Sequence, residues 1–253
     1  MEVQLHLNGK GGRQLFTSFI FLVIMTKEEY FGGWMTVLPI KEMQEAIRKV
    51  SLIRDKICPD YKNIFKAFHK CPYRKLRLII LSQDPYPQKD TATGLAFANF
   101  NNTPENKLSP SLQVIKESII NYEIPHNFIT FVPELEEWAE QGVLLLNTAL
   151  TCEVNKPGSH SLLWRPFICQ LIKNICDYNP GTVWLLLGNS AQSFKPYINN
   201  YQYIIEAKHP SFYARTHKKL PYHIWHDINK ILIGLNGYGI TFYKEEKYES
   251  DLS

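Results

Sequence analysis

Four short polar segments hold the residue types that could do chemistry: Ser82-Gln83-Asp84-Pro85-Tyr86-Pro87, Asn147-Thr148-Ala149-Leu150, Gly188-Asn189-Ser190-Ala191-Gln192 and Lys208-His209-Pro210-Ser211. Asp84 stands nearly alone as an acid there, with Asp90 its near neighbour in sequence. Two-metal phosphodiester cleavage wants several carboxylates, so that chemistry is disfavoured. The chain has no G-x-x-x-x-G-K-[ST], no convincing G-x-G-x-x-G after a strand and no G-x-S-x-G elbow, which argues against nucleotide binding and against a serine nucleophile. One carboxylate and one imidazole remain. That pair suits attack by a positioned water, with Asp84 orienting it or stabilising positive charge and His209 stabilising a departing anion. Taken singly, each residue also has a bland explanation. Asp84 before proline suits a turn, Tyr86 between two prolines could stiffen one, Asn147 could cap the next segment, and Phe97 could be core.

What lifts the set above those explanations is the elements that precede it. Arg77 to Leu81, Val143 to Leu146, Thr182 to Leu187 and Tyr203 to Ile205 are short apolar runs, the pattern of strands buried on both faces. Helical spacing marks Ser111 to Asn121, Glu134 to Gln141, Trp164 to Tyr178 and Tyr222 to Leu235, and two earlier helices between Lys41 and Phe68 separated by Pro59. Strands alternating with helices predict a single α/β domain: a central, mainly parallel four-stranded sheet flanked by helices on both faces. Ligands of such sheets bind beyond the carboxyl ends of the strands. All four polar segments sit there.

Composition narrows the class. The 253 residues are 45% hydrophobic and 21% charged, as in an ordinary globular protein, which excludes disorder and coiled coil. A net charge of +4 and a pI near 8.6 permit a nucleic-acid partner without requiring one. The cysteines, Cys58, Cys71, Cys152, Cys169 and Cys176, are odd in number and form no C-x-x-C pair, so they read as reduced packing residues of a cytoplasmic protein (nuclear or organellar in a eukaryote). Neither metal nor organic cofactor is expected. The apolar run from Leu15 to Met25 is too short to span a bilayer, and no small-x-small cleavage site follows it; no membrane partner is expected. The domain organisation expected is an N-terminal extension over 1–35, a catalytic domain over 36–245 and a polar tail over 246–253, with a monomer as the default state.

The ordered blocks Gln83-Asp84-Pro85-Tyr86, Gly94-Leu95-Ala96-Phe97, Leu144-Leu145-Leu146-Asn147-Thr148, Gly188 with Ala191-Gln192, and His209-Pro210-Ser211 resemble the signatures of the family 1 uracil-DNA glycosylases. Leu108-Ser109-Pro110-Ser111-Leu112 looks like that family's proline-rich, backbone-gripping loop, and Ser159-His160 with Trp164 like its post-strand segment. The likeness runs from about Met43 to Leu235, strand by strand. It implies an enzyme that extrudes uracil from single- or double-stranded DNA and hydrolyses its N-glycosidic bond. By that resemblance Asp84 orients the water and His209 donates to uracil O2. Asn147 reads N3–H and O4, Phe97 stacks on the ring, Tyr86 excludes a C5 methyl, and Gln83 holds base or loop. Pro87, Ser109, Pro110, Ser111, Gly188, Asn189, Ser190, Pro210, Ser211 and Tyr213 fall where the family grips DNA. A DNA-mimicking protein inhibitor is a further partner the resemblance implies.

Five positions depart from the family pattern. Ser82 stands for a glycine, Pro87 for a histidine, Asn189 for a serine, and Phe212-Tyr213 for a proline and a leucine wedge. Tyr213, at the wedge position, is an aromatic able to fill the gap left by a flipped base. The departures leave open a silent DNA-binding module on the same fold, a glycosylase of another lesion, and an unrelated acid–base hydrolase. Asp84, Asn147 and His209 together favour uracil excision, because binding alone would not require all three. Lys208 and Arg215, flanking the His209 loop, read equally as phosphate contacts or solvated surface charges.

Overall fold

The computed structural model describes residues 26–120 and 129–245. Its centre is a four-stranded sheet of β1 (Leu78–Ser82), β2 (Val143–Asn147), β3 (Val183–Leu187) and β4 (Tyr203–Ala207), in the spatial order β2-β1-β3-β4. Every pairing is parallel. The first three strands are buried at every residue, which is why their sequences read as apolar runs, mostly Leu, Ile and Val, rather than as alternation. The fourth, at one edge of the sheet, differs from β2 at the other edge, which is covered throughout: Tyr203 is exposed and none of the fourth strand's residues is fully buried. Its apolar YII run predicts a doubly buried strand, and that expectation is corrected here.

Helices cover the sheet on both faces. In chain order they are α1 (Lys27–Phe31), α2 (Ile40–Val50), α3 (Lys66–Lys70), α4 (Pro110–Ile120), α5 (Glu136–Glu140), α6 (Ser161–Tyr178), α7 (Asn189–Gln192), α8 (Pro210–Thr216) and α9 (His223–Asn236), with short 3₁₀ turns between several of them. The expected apolar stripe of α6 is confirmed: Phe167, Ile168, Leu171, Ile172 and Ile175 are all at or below 1% exposure. Two pairs of two-residue strands lie apart from the sheet, Ile57–Cys58 with Cys152–Glu153 and Ile129–Thr130 with Lys244–Glu245. Nothing in their periodicity announces them.

Of the residues ahead of Thr36, the described ones, 26–35, include part of the packed body. Thr26 and Glu29 form a capping box that starts α1, and Phe31 and Trp34 are core residues. The Trp34 indole Nε1–H donates to the Cys71 carbonyl at 2.7 Å. The boundary expected at 35/36 therefore falls inside packed structure. The Leu15–Met25 run, the end of the expected helix at Asn121 and the tail from 246 lie outside the described residues. No helix among the described residues is long and apolar enough to cross a membrane.

Register decides where the chemistry sits. Ser82 pairs with Asn147, and Leu187 with Ala207, at the carboxyl ends of neighbouring strands. The four polar segments thus leave the sheet at nearly one level. Main-chain bonds tie them together: Thr148 N–H donates to Ser82 O at 2.9 Å, Ala149 N–H to Gln83 O at 3.0 Å, and Gly188 N–H to Ala207 O at 2.9 Å.

Candidate active site

The segments beyond the strand ends enclose a cleft of about 880 Å³. Asp84, Tyr86, Phe97, Asn147 and His209 all line it, as do Gln83, Pro87, Ser111, Gly188, Asn189, Ser190 and Ser211. Ser109, Pro110, Pro210 and Tyr213 do not line it. Ser109 faces inward instead, accepting through Oγ from Asn99 Nδ2 at 2.9 Å while its N–H donates to Asn99 Oδ1 at 2.8 Å. Pro110 and Pro210 are the first residues of α4 and α8, where a missing N–H costs nothing. Tyr213 packs against the hydrophobic core, and it is Phe212 that faces the cleft. Tyr213, at the expected wedge position, is thus half-buried beside the core, one residue along α8 from the cleft-lining Phe212.

Asp84 is held by the chain opposite it. Its Oδ2 accepts the Gly158 N–H, and Gln83 donates to it as well. Burial pushes its carboxyl above the usual aspartate range, and those two donors oppose the shift. The loop carrying it is braced on both sides: Thr148 O–H donates to Gln83 O at 2.7 Å, and below it Cys58 and Cys152 direct their thiols at Pro87 O and Pro85 O, 3.4 and 3.6 Å away. Gly158 is a functional residue that the sequence hides, since its contribution is a backbone N–H from 74 positions away.

His209 is fixed in one tautomer. Its Nδ1 accepts the Ser211 N–H at 3.2 Å, with Ser211 Oγ 2.9 Å away. A backbone N–H can only donate, so in the neutral ring the proton is on Nε2. Burial, with Arg215 adding to it, pulls the imidazole down to about 4, so the ring is neutral at pH 7. His209 thus offers one N–H donor and no charge. Gly188 makes the room: at φ +90°, a Cβ there would lie 2.7 Å from the His209 Cβ.

Phe97 and Asn147 complete the cavity. Phe97 is a non-glycine residue at φ +66°, a costly conformation for an aromatic side chain. Its carbonyl accepts the Tyr86 O–H at 2.8 Å, and its ring centroid lies 5.6 Å from that of His209. Asn147 is buried, and its side-chain Oδ1 has no hydrogen-bond partner. A buried orphan acceptor costs on the order of 1–3 kcal/mol. An amide oxygen lining a cleft and left unpaired is a site awaiting an N–H donor.

The sequence model of the Uracil DNA glycosylase superfamily matches residues 68–232. A uracil-DNA glycosylase of Campylobacter jejuni is 40% identical over 167 residues, covering 63% of this chain and 68% of the relative. One of Coxiella burnetii is 38% identical over 191 residues, covering 70% and 80%. The chain belongs to the Uracil DNA glycosylase superfamily. Two solved structures share the fold of this glycosylase-family chain. Mimivirus UNG Y322F in complex with UGI aligns with a TM-score of 0.72 at 22% identity, covering 87% of this chain and 89% of that one. UNG from Nitratifractor salsuginis aligns with a TM-score of 0.58 at 20% identity, covering 90% and 98%.

Proposed function

We propose that this member of the family removes uracil from DNA, hydrolysing the bond between the base and the deoxyribose and leaving an abasic site. The observation that carries the reading is the set of complementary atoms in one cleft: a carboxylate, a neutral imidazole offering Nε2–H, and an unpaired amide oxygen. Uracil presents an N–H at N3 between two carbonyls. Asn147 Oδ1 accepts N3–H, and His209 Nε2–H donates to O2. Cytosine carries no N3–H and places an acceptor against that oxygen, leaving buried polar groups unpaired; sites of this kind discriminate by up to about 10⁴–10⁵-fold. Phe97 stacks on the ring, and Tyr86, anchored through its hydroxyl, fills the space a C5 methyl would need.

The chemistry follows from the protonation states. Asp84, ionised at neutral pH, orients a water toward C1′ and stabilises the cationic character that develops on the sugar. As the C1′–N1 bond breaks, its electrons go to uracil, and negative charge builds on O2. A neutral donor at O2 stabilises that anion without having charged the free site beforehand. The water adds at C1′ and its proton passes to Asp84. The same cleft admits single- or double-stranded DNA once the base is extruded, and a DNA-mimicking protein inhibitor would occupy the same groove. The protein acts as a monomer in this reading.

The test is a labelled oligonucleotide carrying one uracil, with thymine and cytosine controls and EDTA throughout. Uracil-only release that survives EDTA and collapses in Asp84→Asn supports the reading. Release spreading to thymine in Tyr86→Ala supports the exclusion role of Tyr86. No release from either single- or double-stranded substrate overturns the enzyme.

A further inference from the structure

Ser82 is the last residue of β1 and only 2% exposed, yet it lines the cleft. It pairs in register with Asn147 on β2, and in a parallel pair such partners point to the same face of the sheet. Its Oγ lies 3.3 Å from His209 Nε2. Among the described residues this is the hydroxyl's one hydrogen-bond partner. Ser82 therefore sits between the two side chains that address the base, the amide on one side and the imidazole on the other.

The tautomer fixes the direction of that contact. Nδ1 is occupied as an acceptor by Ser211, so Nε2 carries the proton and Ser82 Oγ accepts it. The imidazole is thereby held at both nitrogens, from α8 on one side and from the end of β1 on the other. A distance of 3.3 Å is at the long limit for N–H···O. Such a contact can be shared: Nε2–H stays directed between Ser82 Oγ and an incoming oxygen in a three-centre bond, so the hydroxyl still fixes the plane of the ring when the leaving oxygen is in place.

We propose that Ser82 is a positioning residue for His209: its hydroxyl orients the imidazole so that Nε2–H meets the leaving-group oxygen. The inference rests on the glycosylase reading above and adds to it a group that acts through the histidine. No bond to Ser82 forms or breaks. Its effect belongs to the leaving-group side of the reaction, so it is felt most when the departing anion is hardest to stabilise.

The experiment compares wild type with Ser82→Ala and Ser82→Gly in single-turnover release of uracil and of 5-fluorouracil, a more acidic leaving group. NMR of ¹⁵N-histidine-labelled protein runs beside it. A hydrogen bond of ordinary net strength corresponds to about a tenfold change in rate. The expected result is a loss of about tenfold in kcat on uracil in both variants, with KM little changed. The loss should be clearly smaller on 5-fluorouracil, and the Nε2–H signal of His209 should shift and exchange faster with water. Wild-type rates in both variants overturn the proposal, as does an equal loss on the two leaving groups with an unmoved Nε2–H signal. If wild type releases no uracil at all, the glycosylase reading falls. The NMR comparison then still decides whether Ser82 holds the ring, because it needs no substrate.

Discussion

Asp84 and His209 divide the work because their surroundings push them in different ways. Burial raises the carboxyl and lowers the imidazole, in both cases favouring the neutral form, and only Asp84 has compensating donors close by, from Gly158 and Gln83. His209 at about 4 stays uncharged through the interval where an ordinary histidine titrates. The pH profile of kcat/KM should therefore be flat between about pH 6 and 8 and fall on the acid side as Asp84 and His209 take up protons. An inflection near 6.5 that disappears in His209→Gln would show the imidazole to act as a cation. The same shift has a stability consequence. A histidine whose folded value is depressed favours folding above its unfolded pKa, and that contribution is lost as pH falls from about 6.5 toward 4. Between pH 7 and 5 the loss amounts to at most about 2 kcal/mol, less for its partial exposure. Denaturant titrations at the two pH values should show wild type losing more stability than His209→Gln.

Between residue and fold stand the turns that end each strand, and Gly188 is the most constrained of them. Its left-handed φ and the 2.7 Å approach of an added Cβ to His209 mean that Gly188→Ala must strain the turn and displace the histidine together. We expect excision to fall by more than about tenfold, with a destabilisation of about 1–3 kcal/mol, checked by single-turnover rate and thermal melting. Unaltered activity in a folded Gly188→Ala protein would mean that the close approach is not maintained in solution. Legibility in the sequence follows the same division. The three fully buried strands are readable to within a residue, because doubly buried strands must be continuous apolar runs. Their register carries the rest, since aligned carboxyl ends bring Asp84, Asn147 and His209 into one cleft. Contacts made by backbone groups leave no trace in residue type, so Gly158 is invisible, and so are the short ladders at Ile57–Cys58 and Ile129–Thr130. The side of α8 on which Tyr213 falls depends on where that helix begins: with Pro210 as its first residue, Phe212 faces the cleft and Tyr213 the core.

Over the whole molecule the net charge is small, so attraction for a polyanion has to come from placement. Lys208 and Arg215 both line the cleft, and the Lys208 ammonium lies 4.1 Å above the Phe212 ring. That placement favours phosphate binding over the solvated-surface alternative. Removing one cation that neutralises a phosphate should reduce the slope of log K against log salt by about 1. Lys208→Ala should therefore weaken DNA binding at low salt and flatten its salt dependence, while leaving the preference for uracil over thymine unchanged. A binding curve with the wild-type salt slope would return Lys208 to the solvated surface.

The body that carries this cleft is closed from below by residues that the sequence assigns to an extension. Trp34 is 1% exposed and bonded to the Cys71 carbonyl, and its ring meets Phe68 edge-on at 5.1 Å and Tyr73 at 5.0 Å. Phe31 meets Phe65 in the same way at 5.4 Å, and Phe65 in turn reaches Trp164 on α6. This aromatic chain connects α1 to the long helix that packs on the sheet, so removing its first members exposes the ring faces of the next. Truncating a buried Trp or Phe costs about 3–5 kcal/mol, a large share of the roughly 5–15 kcal/mol that holds a typical domain together. A chain shortened to begin at Thr36 should melt far below one beginning at Thr26, or fail to fold. Trp34→Phe separates the causes: it retains the edge contacts but loses the bond to Cys71, and should fall between the two. Equal melting temperatures for the chains beginning at Thr26 and Thr36 would show that the domain closes without this segment.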